Sequence, residues 1–248
     1  MRCGMSRELS FTKDNLDFYL KELSKVFRKL NGKKIPAEII LVGGASILVN
    51  YGFRDMTNDI DAIIHASSVM KEAINIVSDK FQLPNGWLNT DFTHTKSYSN
   101  KLIQASVYYK TYSNILTIRT IAAEYLIAMK LVSGRQYKND LSDIAGILWE
   151  HQKSGNPISS EMIDKAVIEL YGGWSEISDR AKIILSEVFK SGDFEKLYND
   201  TRESEIESRK VLIDFENQYP DALKNGNDVN SFLESVQRKK SERKENDK

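Results

Sequence analysis

The chain has almost no cysteine, and this limits how it can be stabilised. Cys3 is the only cysteine in 248 residues, so no internal disulfide can form. Such usage is typical of proteins in a reducing cytoplasm. Long apolar runs are also missing: the most apolar stretch, residues 121–132, contains Glu124 and Lys130 and is shorter than the roughly 18 residues that a membrane-spanning helix needs. Residues 1–15 hold no apolar segment of signal-peptide length, so we expect a soluble, cytoplasmic protein without a membrane partner.

An excess of charge of one sign is equally absent. Lys and Arg together number 35, as do Asp and Glu together, so the formal net charge is zero. This balance argues against a uniformly basic coat for nucleic acid but is compatible with a local basic cleft. The three histidines, at positions 65, 94 and 151, are too widely spaced for a metal-ligand motif. The sequence shows neither a Walker loop nor a Ser-His-Asp order.

Residues 39–64, IILVGGASILVNYGFRDMTNDIDAII, carry the most information. One apolar strand ends at Gly43-Gly44, and a second apolar run carries Asp59 and Asp61. Side chains at i and i+2 of a strand face the same way, about 7 Å apart, and Mg²⁺ typically takes one or two carboxylates plus substrate phosphates. Glycine lets backbone N–H groups approach a phosphate at a strand-to-helix turn. The alternative is the polar face of an edge strand, but two carboxylates in a buried run are costly without a cation. The pattern therefore predicts a metal-bound nucleotide.

The glycine pair, the spacer with Arg54 and Thr57, and Asp-Ile-Asp resemble the signature of the nucleotidyltransferase superfamily with the polymerase-beta-like fold. Residues 37–150 look most like bacterial minimal and abortive-infection-type nucleotidyltransferases, since YLIAMKLVSGRQYKNDLSDIAGIL at 125–148 is similar to a second motif of that group. The resemblance implies Mg²⁺ or Mn²⁺ as cofactor and an NTP as substrate. It also implies a role in toxin–antitoxin or phage-defence systems, with a tRNA or a partner protein as acceptor.

The resemblance also assigns roles within the second motif. It implies that Lys130 neutralises phosphate charge, although a lysine that snorkels to the surface is the alternative. Arg135 could reach the same anion through its forked guanidinium, or serve only as a cation near a helix C-terminus. Asp140 and Asp143 fall on one helix face. Asp143 could orient one of these cations, or be an ordinary acid at the start of the next helix.

Two hydroxyls near the first motif are further candidates for phosphate binding. Ser46 could hydrogen-bond a phosphate or satisfy the first turn of its helix. Thr57 resembles the Ser or Thr that the family places before the acid pair, but a local turn hydrogen bond would explain it equally well.

One carboxylate that the resemblance leads us to expect is missing. Active members of the superfamily commonly supply a third carboxylate from a later strand, whereas the matching strand here, KLIQASVYYK, contains no acid. Asp91, which reads as loop, and Glu124 are the nearest candidates. This departure motivates one alternative to the nucleotidyltransferase acting on tRNA or protein, a catalytically silent binding or antitoxin module. The signature itself leaves a second alternative, an antibiotic-modifying nucleotidyltransferase, because aminoglycoside and lincosamide enzymes share it.

The periodicities predict an α/β protein with a small mixed sheet of about four to five strands flanked by helices. Predicted strands are 38–43, 59–64, 101–109 and 114–119; predicted helices are 12–30, 44–51, 68–80, one starting at Thr120, 141–150, one starting near Ser160, 175–190, 193–199 and 203–217. The predicted domains are a nucleotidyltransferase domain with its N-terminal helix over 1–155, a helical C-terminal module over 156–236, and a disordered charged tail over 237–248.

Overall fold

A computed structural model describes residues 10–32, 35–134, 139–219, 229, 231–236 and 238. Its helices are α1 (Lys13–Leu30), α2 (Gly43–Asn50), α3 (Val69–Phe81), α4 (Ala123–Ser133), α5 (Asp140–Lys153), α6 (Ser160–Tyr171), α7 (Asp179–Ser191) and α8 (Phe194–Gln218), with short 3₁₀ helices at Asp91–His94 and Asn100–Ile103. Its strands are β1 (Ala37–Leu41), β2 (Ile60–His65), β3 (Leu88–Asn89), β4 (Ser106–Tyr112) and β5 (Leu116–Ile121). In the part of the chain so described, no helix is both long and apolar enough to cross a membrane.

The five strands form one mixed sheet in the order β3-β2-β1-β5-β4. β1 runs parallel to β5 and β2 runs parallel to β3, while the β1–β2 and β4–β5 pairs are antiparallel. The predicted α/β class and strand number are confirmed. Because β1 and β2 are antiparallel, with Leu41 opposite Ala62, the glycine turn that follows β1 lies beside the acidic start of β2.

Contacts divide the chain into two units, one of Met1–Met129 with Glu161–Gly173 and the other of Lys130–Ser160 with Trp174–Lys248. In the first unit, α1 contributes a stripe of buried side chains at helical spacing, which are Leu16, Leu20, Leu23 and Phe27. They belong to one core with Ile39 and Leu41 of β1 and with Ala73 and Val77 of α3. In the second unit, α5 contacts α8.

Three predicted elements differ from the observed ones. β3 was expected to be loop, because two residues are too few to show alternation. The strand expected at 101–109 begins with a 3₁₀ helix, in which the Ser99 side chain accepts a hydrogen bond from the N–H of Lys101, and β4 follows only from Ser106. The two helices expected at 193–199 and 203–217 are one helix, α8. The polar residues between them continue it, and the Thr201 hydroxyl donates to the Leu197 carbonyl at 2.8 Å.

The domain boundaries at 155/156 and 236/237 stay predictions. Apart from Arg238, the charged tail over 237–248 lies outside the described residues.

Candidate functional site

Gly43 sits where the chain turns from β1 into α2. Its φ of +54° lies in the left-handed region, which glycine enters without the steric penalty that other residues meet. Apart from its chain neighbours and the backbone of its own helix, no atom would lie within 4 Å of a Cβ at this position. The space beside Gly43 is therefore open, as the predicted approach of a phosphate requires.

Gly44 is glycine for a different reason. Its φ is not positive, but a Cβ there would lie 2.8 Å from the Arg54 Nη2 and 2.8 Å from the Thr57 Oγ1. Such distances are too short for any real side chain. The missing Cβ at Gly44 thus makes room for two side chains of the same loop, whereas that at Gly43 leaves open space. The sequence pattern alone suggested one role for both glycines.

The acid pair adjoins this turn. Asp59 is exposed and immediately precedes β2, and Asp61 is half-buried within it. Ile60 and Ala62, the residues next to Asp61, are fully buried, so strand alternation places the Asp61 carboxylate on the face opposite to these apolar side chains. The Asp61 carbonyl accepts a hydrogen bond from the N–H of Val42 at 3.0 Å. The structure therefore brings the acid pair and the glycine turn together.

This donor set fits a hard divalent cation. Asp61 in β2 and Asp59 immediately before it offer carboxylate oxygens, which are the ligands that Mg²⁺ and Mn²⁺ prefer. Asp59 is in addition held by Thr57, whose hydroxyl lies 3.2 Å from the Asp59 carbonyl oxygen and 3.4 Å from its Oδ1. Two carboxylates leave positions for phosphate oxygens and water around such an ion.

The two candidate hydroxyls are both buried. Ser46 is 0% exposed, and its Oγ accepts a hydrogen bond from the N–H of Ile121 at 3.2 Å. The Thr57 backbone pairs with that of Phe11 through bonds of 2.7 and 2.9 Å, and its side chain binds Asp59. Both residues thus have protein partners, and their contacts with a phosphate stay predictions.

The strand beside Asp61 carries an amide where a third carboxylate could have stood. β3 pairs in parallel with β2, and Asn89 is in register with Asp61, so both side chains face the same side of the sheet. The Asn89 Oδ1 accepts a hydrogen bond from the N–H of Asp91 at 2.8 Å. Asp91 is exposed in a 3₁₀ helix, and Glu124 lies in the first turn of α4. Within the described ranges, no group of three or more His, Cys, Asp or Glu side chains lies together so that it could hold a metal ion.

Lys130 lies in the second unit, between two carboxylates. Its Nζ is 2.8 Å from the Asp140 Oδ1 and 2.8 Å from the Asp143 Oδ2. The three residues are 7%, 0% and 2% exposed, so Lys130 does not snorkel to the surface. Asp143 contacts Lys130 as the orienting role requires, and so does Asp140, the other acid predicted on that helix face. Arg135 lies outside the described residues.

A family model described as "Nucleotidyltransferase of unknown function (DUF6036)" matches residues 19–169, which is more than half of the chain. The chain belongs to this nucleotidyltransferase family. The matched residues include the glycine turn, the acid pair and the Lys130 cluster. No curated protein matches the chain.

This family member is similar to the solved structure of an antigenic nucleotidyltransferase-like protein from Paracoccidioides brasiliensis. The similarity covers 77% of this chain and 95% of that chain, with 14% sequence identity and a TM-score of 0.39. So distant a likeness says nothing of substrates, and the case for a function rests on the family match and on the site itself.

α8 lies outside the residues that the family model matches, and its Glu205 is a buried acid that contacts the start of α5. The Glu205 carboxylate accepts hydrogen bonds from the N–H groups of Leu141 and Ser142 at 3.2 and 3.1 Å, and from the Ser142 hydroxyl at 2.5 Å. Burial raises the pKa of Glu205 to about 7, and the charges of Asp143 and Asp140 act in the same direction, while the Ser142 bonds oppose them. No sequence motif marked Glu205, because its partners lie more than sixty residues earlier.

Proposed function

We propose that this chain is a Mg²⁺-dependent nucleotidyltransferase that transfers an NMP from an NTP to an acceptor. The observation that carries the proposal is the acid pair, Asp59 and Asp61, beside the open turn at Gly43. The family match supports the reaction class, because it covers both parts of this site.

In this proposal the acceptor oxygen bonds to the α-phosphorus, the bond between the α- and β-phosphates breaks, pyrophosphate leaves, and the hydroxyl proton passes to solvent. Asp59 and Asp61 would hold Mg²⁺ or Mn²⁺, which when bound orients the triphosphate and offsets its charge. The backbone at Gly43 gives the phosphates a close approach. Thr57 holds Asp59 in place, so the carboxylate need not reorganise when the nucleotide arrives.

The acceptor and the biological setting are proposed from the resemblance of residues 37–150 to abortive-infection-type proteins. We propose a tRNA or a cognate protein as acceptor, in a toxin–antitoxin or phage-defence system. Lys130 and Arg135 are the cations proposed to balance charge on the leaving pyrophosphate. The Lys130 Nζ contacts both Asp140 and Asp143, so in this proposal a phosphate would share the ammonium group with these carboxylates or displace one of them.

The test is transfer of label from each α-³²P-NTP in the presence of Mg²⁺ and either total tRNA or cell lysate. We expect Asp59→Asn combined with Asp61→Asn to abolish transfer while the far-ultraviolet circular dichroism is unchanged. Asp55→Asn is the matched control, since Asp55 is an exposed acid of the same loop, and it should transfer as the wild type does. Equal transfer by the double variant would contradict the proposed metal site.

A second candidate, a catalytically silent member that acts by binding, is favoured by one observation. The residue in register with Asp61 is Asn89, which cannot act as a base for the acceptor. Calorimetry of the wild type with Mg²⁺ and each of ATP, GTP, CTP and UTP separates the candidates. Binding of an NTP together with transfer supports the enzyme. Binding of an NTP without transfer supports a silent nucleotide-binding member. No binding of any NTP favours a silent member that binds a partner rather than a nucleotide.

A further inference from the structure

Arg54 lies against the glycine turn in a defined position. Its Nε donates to the Met56 carbonyl at 3.1 Å, which fixes the guanidinium relative to its own loop. The Nη2 and Cζ atoms come within 2.8 and 3.2 Å of the place where a Cβ of Gly44 would be. The guanidinium thus rests on the backbone of Gly44, one residue from the open space at Gly43.

The fit between Gly44 and Arg54 is specific. Because Gly44 does not need glycine for its backbone conformation, the missing Cβ matters for the space that it leaves. That space is filled by a cation and by the Thr57 hydroxyl, each 2.8 Å from the same point, and this hydroxyl also contacts Asp59. A chain of neighbouring groups therefore joins the guanidinium to the acid pair.

We infer that Arg54 binds the phosphates of the nucleotide, an inference that rests on the function proposed above. Arginine stays charged at all relevant pH values and presents a planar fork of donors that matches phosphate oxygens. At Gly44 that fork adjoins both the open turn and the loop that leads to the acid pair. A metal held by Asp59 and Asp61 and a guanidinium at Gly44 would approach the triphosphate from two sides.

The position of Arg54 differs from that of Lys130, the cation that the sequence motifs predict to neutralise phosphate charge. The Lys130 Nζ is buried and contacts two carboxylates, whereas Arg54 is half-buried in the loop between α2 and β2. Arg54 thus brings positive charge to the glycine turn from within the first unit itself.

The simpler reading is that Arg54 only stabilises its loop through the Met56 carbonyl. The two readings differ in how affinity depends on phosphate number. A residue that orders the loop should affect NTP, NDP, NMP and nucleoside alike. A residue that binds phosphate should matter most for NTP and hardly at all for the nucleoside.

The experiment measures affinities for this phosphate series in the presence of Mg²⁺, using the full chain and whichever base the wild type binds. We expect Arg54→Gln to weaken NTP binding by about 10- to 100-fold, as the loss of a hydrogen bond to a charged group implies. The loss should shrink with each phosphate removed. The NTP affinity of Arg54→Lys should lie between those of the wild type and Arg54→Gln, because lysine keeps the positive charge but not the planar fork of donors. Arg28→Gln, which removes an exposed arginine of α1, is the matched control and should bind as the wild type does.

A second set of variants tests the position of the guanidinium without removing it. A Cβ at Gly44 would meet both Arg54 and Thr57, so Gly44→Ala should displace Arg54 and weaken NTP binding, with part of the loss acting through Thr57. In the Arg54→Gln background only the part through Thr57 remains, so Gly44→Ala should cost less there and the two changes are non-additive. Fully additive losses would contradict the inferred contact.

The outcomes separate this inference from the function on which it rests. A wild type that binds no nucleotide overturns the proposed function and the inference together. A wild type that binds NTP while Arg54→Gln and Arg54→Lys bind it equally well overturns the role of Arg54 alone. If Arg54→Gln lowers the thermal midpoint of unfolding, the affinities of Arg54→Lys for the phosphate series decide between the two roles. An equal loss of affinity for NTP and nucleoside in Arg54→Lys would mean that Arg54 has a structural role.

Discussion

At the scale of the residue, Lys130 is a buried charge that two carboxylates compensate. Each oxygen–nitrogen distance is 2.8 Å, and removing one partner of such a buried pair leaves the others without compensation. We expect Lys130→Met to lower the free energy of unfolding by about 3–5 kcal/mol, measured by urea unfolding followed by circular dichroism.

The control for this prediction is Lys182→Met, because the Lys182–Asp179 pair at 3.0 Å is largely exposed. That change should alter stability by less than about 1 kcal/mol. Neutralising the acids as well, in Lys130→Met with Asp140→Asn and Asp143→Asn, should restore part of the loss. If Lys130→Met had the same urea midpoint as the wild type, the buried cluster would contribute little to stability. A stable Lys130→Met that has lost transfer would favour the phosphate role.

At the scale of the element, α1 begins with a capping box. The Thr12 Oγ1 accepts from the N–H of Asn15 at 3.4 Å, and the Asn15 Oδ1 accepts from the N–H of Thr12 at 2.8 Å. Thr12→Ala removes one of these bonds from a helix that supplies much of the core of the first unit. We expect a loss of about 1 kcal/mol in the free energy of unfolding, measured in urea.

Ser68→Ala is the matched control, since Ser68 precedes α3 in the equivalent position but makes no side-chain capping bond. It should change stability by no more than a few tenths of a kcal/mol. Equal losses in the two variants would mean that the bonds at Thr12 are not what stabilises the start of α1.

At the scale of the whole molecule, stability should depend on pH through Glu205. Its pKa rises from an ordinary 4.5 to about 7 in the folded chain, first because of burial and then because of the charges of Asp143 and Asp140. Between these two values the folded state binds more protons than the unfolded state. The stabilisation that protonated Glu205 contributes to the folded state is therefore complete below pH 4.5 and is lost as pH rises through about 7. The full change is on the order of 3 kcal/mol at most.

Comparison of urea midpoints at several pH values between 4.5 and 8 checks this prediction. Glu205→Gln keeps an uncharged side chain at all of these values, so its stability relative to the wild type should grow as pH rises. Glu203→Gln, which changes an exposed acid of the same helix, should track the wild type. A constant difference between Glu205→Gln and the wild type would contradict the raised pKa.

Local sequence pattern was sufficient for the parts of this protein that depend on neighbours in the chain. Alternation predicted that Asp59 and Asp61 share one face, and helical spacing of apolar residues marked α1 and its buried stripe. The glycine pair marked the turn between β1 and α2. These features follow from backbone geometry over a few residues, which is why the α/β class and the main motif could be predicted.

Only the tertiary structure decided which distant groups meet. The parallel pairing of β2 with β3 put Asn89 beside Asp61, and the folding of one loop put Arg54 on Gly44. The contact of α8 with α5 brought Glu205 to Ser142. None of these pairings has a period or a spacing that a linear sequence displays, because they arise from strand register and helix packing. The sequence thus specified the chemical groups of the candidate site, and the fold determined which of them lie against one another.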